Sequence, residues 1–345
     1  MKQIQPSRPV RRGLLRPLIA AAIVLAVANV ISWPPGSLGT REGPAIAAAK
    51  SWGYQLQRLD FDRIPDAIDL LVVDYSQDGS DAAALTPDEV ERLRTRSAGK
   101  RIVLAYLSIG EAERYRYYWR NYWRWWRPGW LGPENPEWKG NYPVRFWDAG
   151  WVRIMLDPDR TLLGALSERV MPSWKPYLDR ILEAGFDGVY LDRIDVHAEW
   201  AKEKPDAEKA MVKFVAAISS YAKSRRPGFL VVPQNAEELL RLKAYRTAID
   251  AVAKEDLVFG IDGDGKRNDK ANFNYSLDHL RKAKSEGVPV LVVEYLDDPE
   301  QQREAIAVTT KHGFVPLLAQ RALDRPPALV PPDLAMPEPA TSPRE

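Results

Sequence analysis

Several short apolar runs in this chain end in an acidic side chain. One such run is Gly188–Asp192, and others lead to Asp74, Glu111, Glu255 and Glu294. Buried strands of parallel sheets are continuously apolar because both of their faces are covered. An acid at the carboxyl end of such a strand lies at the rim of the core, where α/β folds place their chemistry. The recurrence of this pattern predicts a carboxylate-lined pocket at one edge of a parallel sheet.

The apolar runs alternate with amphipathic segments, which is typical of βαβ units. Thr86 precedes Pro87 in a favourable N-cap arrangement, which marks the start of one helix. About eight strands with intervening helices over residues 51–324 predict an α/β fold, a (β/α)₈ TIM-type barrel. A doubly wound open sheet is the alternative, but no GxGxxG turn follows the first strand. The predicted strands are Ser51–Leu56, Leu70–Asp74, Ile102–Leu107, Gly188–Asp192, Phe229–Val232, Ala251–Glu255, Val288–Glu294 and Phe314–Leu318.

The two ends of the chain have the composition of targeting and tail segments. Within residues 1–33, arginines precede an apolar stretch, which is the layout of a secretory signal peptide or signal anchor. Residues 34–50 form a linker, and residues 325–345 form a Pro-rich tail that is predicted to be disordered. We therefore expect a protein that is secreted, periplasmic or membrane-anchored facing outside. Cleavage of the apolar stretch, and with it membrane attachment, is left open.

Composition excludes several classes of function. The chain carries 49 basic and 47 acidic residues, a net charge of +2, so no global field favours nucleic acid. Cysteine is absent, which excludes disulfides, thiolate nucleophiles and cysteine metal sites, and which fits export. His197, His279 and His312 form no HxH or HxxxH pair, so we expect neither a histidine-rich zinc site nor a cofactor. The oligomeric state is not predicted.

A long aromatic-rich insertion follows the third strand, between Glu113 and Trp151. In a barrel, this segment lies on the catalytic face. More than half of its rings are expected to pack as a satellite hydrophobic cluster, and the rest would stack on sugar rings. Arginines between the rings also suggest a nucleic-acid or membrane surface, an alternative that the nearby acids disfavour. The aromatic residues are Tyr115, Tyr117, Tyr118, Trp119, Tyr122, Trp123, Trp125, Trp126, Trp130, Trp138, Tyr142, Phe146, Trp147 and Trp151.

Two of the acids are suited to hydrolysis of a glycosidic bond. That reaction needs one protonated carboxyl group to assist the leaving oxygen and one ionised carboxylate to attack or to activate water. Asp192 and Glu255 end the fourth and sixth strands and could face each other across a barrel mouth. The apolar strand before Glu255 favours the raised pKa of an acid catalyst, while Arg193 beside Asp192 favours an ionised carboxylate. Each acid could instead cap a helix or pair with an arginine.

Further polar residues at or near strand ends are candidates for contacts with sugar hydroxyls or amines. Each of them alone could equally bond loop backbone. The predicted substrate-binding residues are Asp74, Tyr75, Tyr106, Glu111, Asp195, Asn235, Glu294, Tyr295 and Gln320.

These residues carry a resemblance to glycoside hydrolase family 114, the endo-α-1,4-polygalactosaminidase-like proteins. The resemblance implies a barrel and an exported enzyme that acts on α-1,4-linked galactosamine polymers. The family's proposed catalytic pair, an Asp after the fourth strand and a Glu after the sixth, falls on Asp192 and Glu255. The segments that carry the resemblance are Trp52–Gln55, Ala105–Glu113 with Tyr115–Trp119, Gly140–Trp147, Gly188–Asp195, Pro233–Asn235 and Glu255–Asp256.

The chain departs from the family pattern in three places. His197 stands where an aromatic residue is common, and Arg193 occupies a variable position. The aromatic-rich insertion is shared by only some relatives, so the resemblance transfers the fold and reaction class better than the sugar. A polymer with free amines would suit a cleft lined with carboxylates, because cations prefer such a field.

Three hypotheses follow from the sequence. The leading one is an exported glycoside hydrolase that cleaves a galactosamine-containing polysaccharide. The second is a non-catalytic carbohydrate-binding barrel associated with exopolysaccharide or the cell envelope. The third is a metal enzyme that uses the acids as hard oxygen ligands, namely Asp74, Glu111, Asp192 and Glu294.

Overall fold

The computed structural model describes residues 46–156 and 175–330. The predicted signal segment, residues 1–33, lies outside the described residues, as do residues 34–45 of the predicted linker and residues 331–345 of the predicted tail. In the described part of the chain, no helix is both long and apolar enough to cross a membrane.

Eight parallel strands form the centre of the described structure. Each lies within two residues of its predicted bounds, so the predicted strand pattern is confirmed. The first five strands form one sheet in chain order, and the last three form a second sheet, also in chain order. The strands are β1 Trp52–Gln55, β2 Leu70–Asp74, β3 Ile102–Ser108, β4 Gly188–Asp192, β5 Leu230–Pro233, β6 Val252–Glu255, β7 Val290–Tyr295 and β8 Val315–Ala319.

Helices lie between the strands, as expected for βαβ units. The N-cap predicted at Thr86 is confirmed, because its side chain accepts a hydrogen bond from the backbone N–H of Glu89, whose own carboxylate accepts from the Thr86 backbone. The α-helices are α1 Pro87–Arg94, α2 Ala149–Met155, α3 Tyr177–Ala184, α4 Val196–Glu199, α5 Ala207–Arg225, α6 Lys243–Ala248, α7 Lys270–Ser285 and α8 Pro299–Lys311. Short 3₁₀ helices are Ile46–Ala48, Asn121–Arg124 and Glu237–Arg241.

Three pairs of short antiparallel strands lie in the loops of the described structure. One pair connects α1 to β3, another lies within the aromatic-rich insertion, and the third follows β6. The pairs are Thr95–Arg96 with Gly99–Lys100, Glu111–Glu113 with Asn141–Pro143, and Phe259–Gly260 with Gly263–Arg267.

The strands separate two hydrophobic layers. In β2, Leu71 and Val73 belong to the larger cluster together with helix residues, whereas Leu70 and Val72 belong to a second cluster. This alternation follows from the two-residue period of a strand. The second cluster contains side chains from all eight parallel strands, an arrangement that resembles the interior of a barrel. It includes Trp52, Leu70, Ile102, Tyr190, Leu230, Ala253, Leu291 and Leu317.

The two parallel sheets meet at β5 and β6. Gln234 and Ala253 form a parallel bridge there, and the backbone N–H of Asn235 donates to the Ala253 carbonyl at 2.9 Å. At the other side, the Trp52 indole Nε1 donates to the Val315 carbonyl at 3.1 Å, and no strand ladder joins β8 to β1 in the described residues. The structure thus establishes an α/β fold with central parallel strands, while closure into a complete barrel stays a prediction.

The start of β4 tests how tightly the central strands are packed. A Cβ atom on Gly188 would lie 2.4 Å from the Leu230 carbonyl oxygen and 2.8 Å from Leu104 Cδ2. We expect Gly188→Ala to lower the free energy of unfolding by about 1–3 kcal/mol, because the neighbouring strands must move apart. Chemical denaturation measures this loss.

Gly129→Ala is the matched control, since a Cβ atom there meets no heavy atom within 4 Å. Equal stability of the Gly188 and Gly129 variants would contradict the packing described for β4.

Candidate active site

Asp192, the last residue of β4, is held by two hydrogen bonds. The Tyr106 hydroxyl donates to Oδ2 at 2.6 Å, and the backbone N–H of Arg193 donates to Oδ1 at 2.7 Å. Burial raises the pKa of Asp192, and these two bonds oppose the shift because they stabilise the carboxylate. Arg193 has a φ of 59°, so the chain turns sharply directly after the acid. The carboxyl group is therefore fixed in position at the end of the strand.

Glu255, the last residue of β6, is held from both neighbouring strands. Asn235, which follows β5, donates from Nδ2 to Glu255 Oε2 at 3.1 Å, and its Oδ1 accepts from the Glu255 backbone N–H at 3.1 Å. On the other side, the hydroxyl of Tyr295, the last residue of β7, donates to Glu255 Oε1. The structure therefore brings together three of the predicted site residues at this point.

The two carboxyl groups influence each other. Burial raises the pKa of Glu255 to about 7, and the negative charge of Asp192 adds to the shift. Hydrogen bonds from Tyr295 and Asn235 oppose it. The charge of Asp192 thus acts on Glu255, and the two carboxyl groups titrate as a coupled pair. Below about pH 7, this environment favours the protonated form of the Glu255 carboxyl group.

Two tyrosines from the second hydrophobic cluster lie close to these acids. The rings of Tyr54 and Tyr190 have centroids 5.0 Å apart. Burial raises the pKa of both hydroxyls well above the ordinary range, and the charges of Asp192 and Glu255 raise both further. The Tyr54 hydroxyl donates to Gln234 Oε1 at 3.4 Å. Tyr54 and Gln234 were not predicted as site residues, although both lie in segments that carry the family resemblance.

Asp74 and Tyr75 form part of a different network, centred on Arg116. The fully buried Arg116 guanidinium donates to both carboxylate oxygens of Asp74 at 2.7 Å, and its Nε donates to Glu113 at 2.6 Å. Tyr75 is buried and meets the Tyr177 ring edge-on, with centroids 4.8 Å apart. These contacts attach the aromatic-rich insertion to the end of β2. Nothing in the sequence pattern marked Arg116 as the partner of Asp74.

Arg193 connects the insertion to the end of β4. Its Nε lies 3.2 Å from Glu111 Oε1, and that same oxygen accepts a hydrogen bond from Asn135 Nδ2 at 2.8 Å. Its Nη1 lies 3.4 Å from Asp195, whose side chain is 51% exposed. Glu111 and Asp195 thus lie next to the turn that follows Asp192, and both are paired with the same guanidinium.

Glu294 lies against the loop that follows β6. The buried Glu294 carboxylate accepts from the backbone N–H groups of Val258 at 2.7 Å and Phe259 at 3.1 Å, and burial raises its pKa to about 8. Glu294 therefore holds the loop. Gln320 is exposed directly after β8.

The adjacent Arg321 was not predicted, and no sequence pattern marks it. Its Nη2 lies 3.1 Å from both carboxylate oxygens of Asp256, and its guanidinium lies over the Tyr295 ring, 4.3 Å from the centroid. Arg321 thus covers the ring whose hydroxyl binds Glu255.

Most rings of the aromatic-rich insertion are packed rather than free. Tyr118, Phe146 and Trp151 are fully buried, and Trp123 and Trp130 are nearly so, which matches the expected hydrophobic cluster. The strongly exposed rings are Tyr115, Tyr122, Trp125, Trp126 and Trp138.

The acids considered as metal ligands do not converge. Asp74 is bound by Arg116, and Glu294 accepts backbone N–H groups. Among the residues that the structure describes, no group of three His, Asp or Glu side chains is arranged to hold an ion. The geometry instead supports acid–base chemistry by the two coupled carboxyl groups.

Comparison with known proteins gives the family. The sequence model of glycoside hydrolase family GH114 matches residues 37–330. An uncharacterized protein of Methanocaldococcus jannaschii is 37% identical over 290 residues, which cover 79% of this chain and 77% of that protein. An uncharacterized protein of Thermotoga maritima is 32% identical over 288 residues, with 79% and 81% covered.

A solved structure supports the fold. The glycoside hydrolase domain of PelA from Pseudomonas aeruginosa superposes with a TM-score of 0.57 at 20% identity, covering 81% of this chain and 98% of that domain. The likeness at this identity concerns the fold alone. With a family match that spans most of its length, this chain belongs to glycoside hydrolase family GH114.

Proposed function

We propose that this protein hydrolyses O-glycosidic bonds with Asp192 and Glu255 as its catalytic pair. The observation that carries the proposal is the placement of two electrostatically coupled carboxyl groups at the ends of β4 and β6, each bound by a tyrosine hydroxyl. A glycosidase needs two carboxyl groups whose environments push their pKa values apart. Family membership supports the same reaction class.

The two environments suggest different roles. Glu255, with a pKa of about 7, keeps its proton at mildly acidic pH and is suited to donate it to the leaving oxygen as the glycosidic bond breaks. Asp192 receives hydrogen bonds from Tyr106 and from the Arg193 backbone that stabilise its carboxylate, so it is suited to attack the sugar or to activate water. Tyr106, Asn235 and Tyr295 would orient the pair.

The substrate in this proposal is a galactosamine-containing polysaccharide. In the described residues, no lysine or arginine forms an ion pair with Asp192 or Glu255, whereas Asp74 and Glu111 each have an arginine partner. The uncompensated negative charge at the cleft therefore comes mainly from the catalytic pair. A sugar ammonium group would be attracted to it. The resemblance to polygalactosaminidase-like proteins supports the same sugar.

We also propose that the protein is exported. The support is the arrangement of arginines followed by an apolar stretch within residues 1–33 and the absence of cysteine from the sequence. Detection of the protein in the periplasmic, membrane or extracellular fraction would test this, and recovery with the cytoplasm alone would contradict it.

Replacement of either catalytic carboxyl group tests the reaction. We expect Asp192→Asn and Glu255→Gln each to lower hydrolysis by about 10²–10⁴-fold, because each removes an acid or base that acts in the transition state. Mass analysis of products from a polysaccharide panel, including deacetylated galactosamine polymers, measures the loss.

Asp297→Asn is the control, since this exposed acid follows β7 outside the hydrogen-bonded pair. Parental turnover in either catalytic variant would contradict the assignment. Tight binding of a polymer by the unaltered protein without any cleavage would favour the carbohydrate-binding alternative.

The pH profile reports the protonation of Glu255. Since the acid must carry a proton, activity should fall as pH rises through about 7. Tyr295→Phe removes a hydrogen bond that favours the carboxylate, so the pKa of Glu255 rises and the alkaline limb moves to higher pH. The pH dependence of kcat/KM measures the shift, and a downward movement would contradict the assignment of the acid.

The free energy of unfolding should also depend on the protonation of Glu255. The folded-state pKa of Glu255 lies above its ordinary value, so its stabilising contribution is complete below about pH 4.5 and is lost as pH rises to about 7. Glu255→Gln avoids this cost, so the variant should gain about 1–3 kcal/mol relative to the parent between pH 5 and 8. Thermal melting at several pH values tests this, and a pH-independent difference would contradict it.

A further inference from the structure

The aromatic-rich insertion contains a pocket separate from the residues that bind Asp192 and Glu255. Its volume is about 370 Å³, within the range of sites that take small molecules. It lies between the 3₁₀ helix Asn121–Arg124 and the strand Asn141–Pro143, which contribute lining residues from two sides. The lining residues are Arg114, Trp119, Trp123, Arg124, Arg127, Glu134 and Tyr142.

The pocket carries an excess of positive charge. Three of its lining residues are basic, namely Arg114, Arg124 and Arg127, and one is acidic, namely Glu134. Glu134 Oε1 already accepts a hydrogen bond from the Gly140 backbone N–H at 2.8 Å. None of the three arginines forms an ion pair with a carboxylate among the residues that the structure describes. This contrasts with Arg116, Arg193 and Arg321, each of which binds at least one acid.

The aromatic side chains that line the pocket are held in place by packing against further rings. The Trp119 ring lies against Tyr142 with centroids 4.8 Å apart, and it meets Trp123 edge-on at 5.2 Å. Trp123 in turn packs edge-on against the buried Trp130 at 5.1 Å. Rings held by further rings do not have to be ordered when a ligand binds, which lowers the entropic cost of binding.

We propose that this pocket binds an anionic sugar unit, a pyranose that bears a carboxylate or a phosphate ester. A planar guanidinium pairs with either anion through two parallel hydrogen bonds, and aromatic faces receive the apolar face of a sugar ring. The ligand is named as a saccharide on the basis of the proposed function. A nucleic acid is disfavoured because the chain has a net charge of only +2.

The wall of the pocket is linked to the end of β4 through the short antiparallel strands of the insertion. Tyr142 pairs with Ala112 in the antiparallel strands of the insertion, and the next residue, Glu111, lies 3.2 Å from Arg193, which follows Asp192. Asp192 and Glu255 have no basic ion-pair partner among the described residues, and the pocket lining has more basic than acidic residues. A polysaccharide that carries both amino sugars and acidic sugars would match both.

Isothermal titration calorimetry of the full chain carrying Glu255→Gln tests this proposal without turnover. The probes are an oligogalacturonate, galactose 6-phosphate and a neutral galactose oligomer. We expect at least one anionic probe to bind about 10-fold or more tightly than the neutral oligomer, since a hydrogen bond to a charged group contributes about 1.5–3 kcal/mol. The preferred anion distinguishes a carboxylate from a phosphate ester.

The double variant Arg124→Gln with Arg127→Gln should weaken that binding about 10-fold or more, whereas Arg303→Gln, an exposed arginine on α8, should leave it unchanged. Equal binding of charged and neutral probes, or binding that survives the double variant, would overturn the proposal. Arginine-dependent binding to vesicles of anionic lipid, with no binding of the sugar probes, would also overturn it.

Circular dichroism checks that the variants fold. Because Glu255→Gln removes only the proposed catalytic acid, a failure of hydrolysis in the parent protein would count against the proposed function and not against this pocket.

Discussion

Loss of water from the two carboxyl groups that end β4 and β6 is the physical constraint on which the site depends. Asp192 and Glu255 end strands whose other residues are buried, so neither carboxyl group is fully solvated. Burial raises both pKa values, and the charge on Asp192 raises that of Glu255 further. A glycosidase needs one protonated and one ionised carboxyl group, and the different hydrogen-bond partners of Asp192 and Glu255 support that division in the proposed reaction.

Three other acids near the strand ends have an arginine partner, which Asp192 and Glu255 lack among the described residues. Asp74 binds the buried Arg116, Asp256 binds Arg321, and Glu111 lies beside Arg193. A buried charge without a partner is costly, so each of these pairs removes a penalty. Glu294 is held differently, because its buried carboxylate accepts two backbone N–H groups. The sequence predicted a ring of acids. The structure divides that ring into acids paired with arginine, Glu294 bound to backbone N–H groups, and the couple of Asp192 and Glu255.

The strands and the two proposed catalytic acids could be predicted because both depend on local pattern. An apolar run of four to seven residues sets each strand, and the acid at its end follows from position alone. The partners could not be predicted, because they depend on tertiary packing: Arg116 lies 42 residues from Asp74, and Glu294 binds N–H groups 35 and 36 residues away. Burial of most insertion rings was expected, but which rings would be exposed was not.

The connection between β3 and the insertion fixes where the insertion begins relative to Asp192. A Cβ atom on Gly110 would lie only 2.1 Å from the Arg193 carbonyl oxygen, so the chain leaves β3 in direct contact with the turn after Asp192. The ion pair of Arg193 with Glu111 adds a second link one residue later. The insertion that holds the pocket therefore begins in contact with the turn that follows Asp192. This backbone contact helps to fix the distance between the pocket and Asp192. A polymer that occupied both sites would require such a fixed offset, because its sugar spacing is fixed as well.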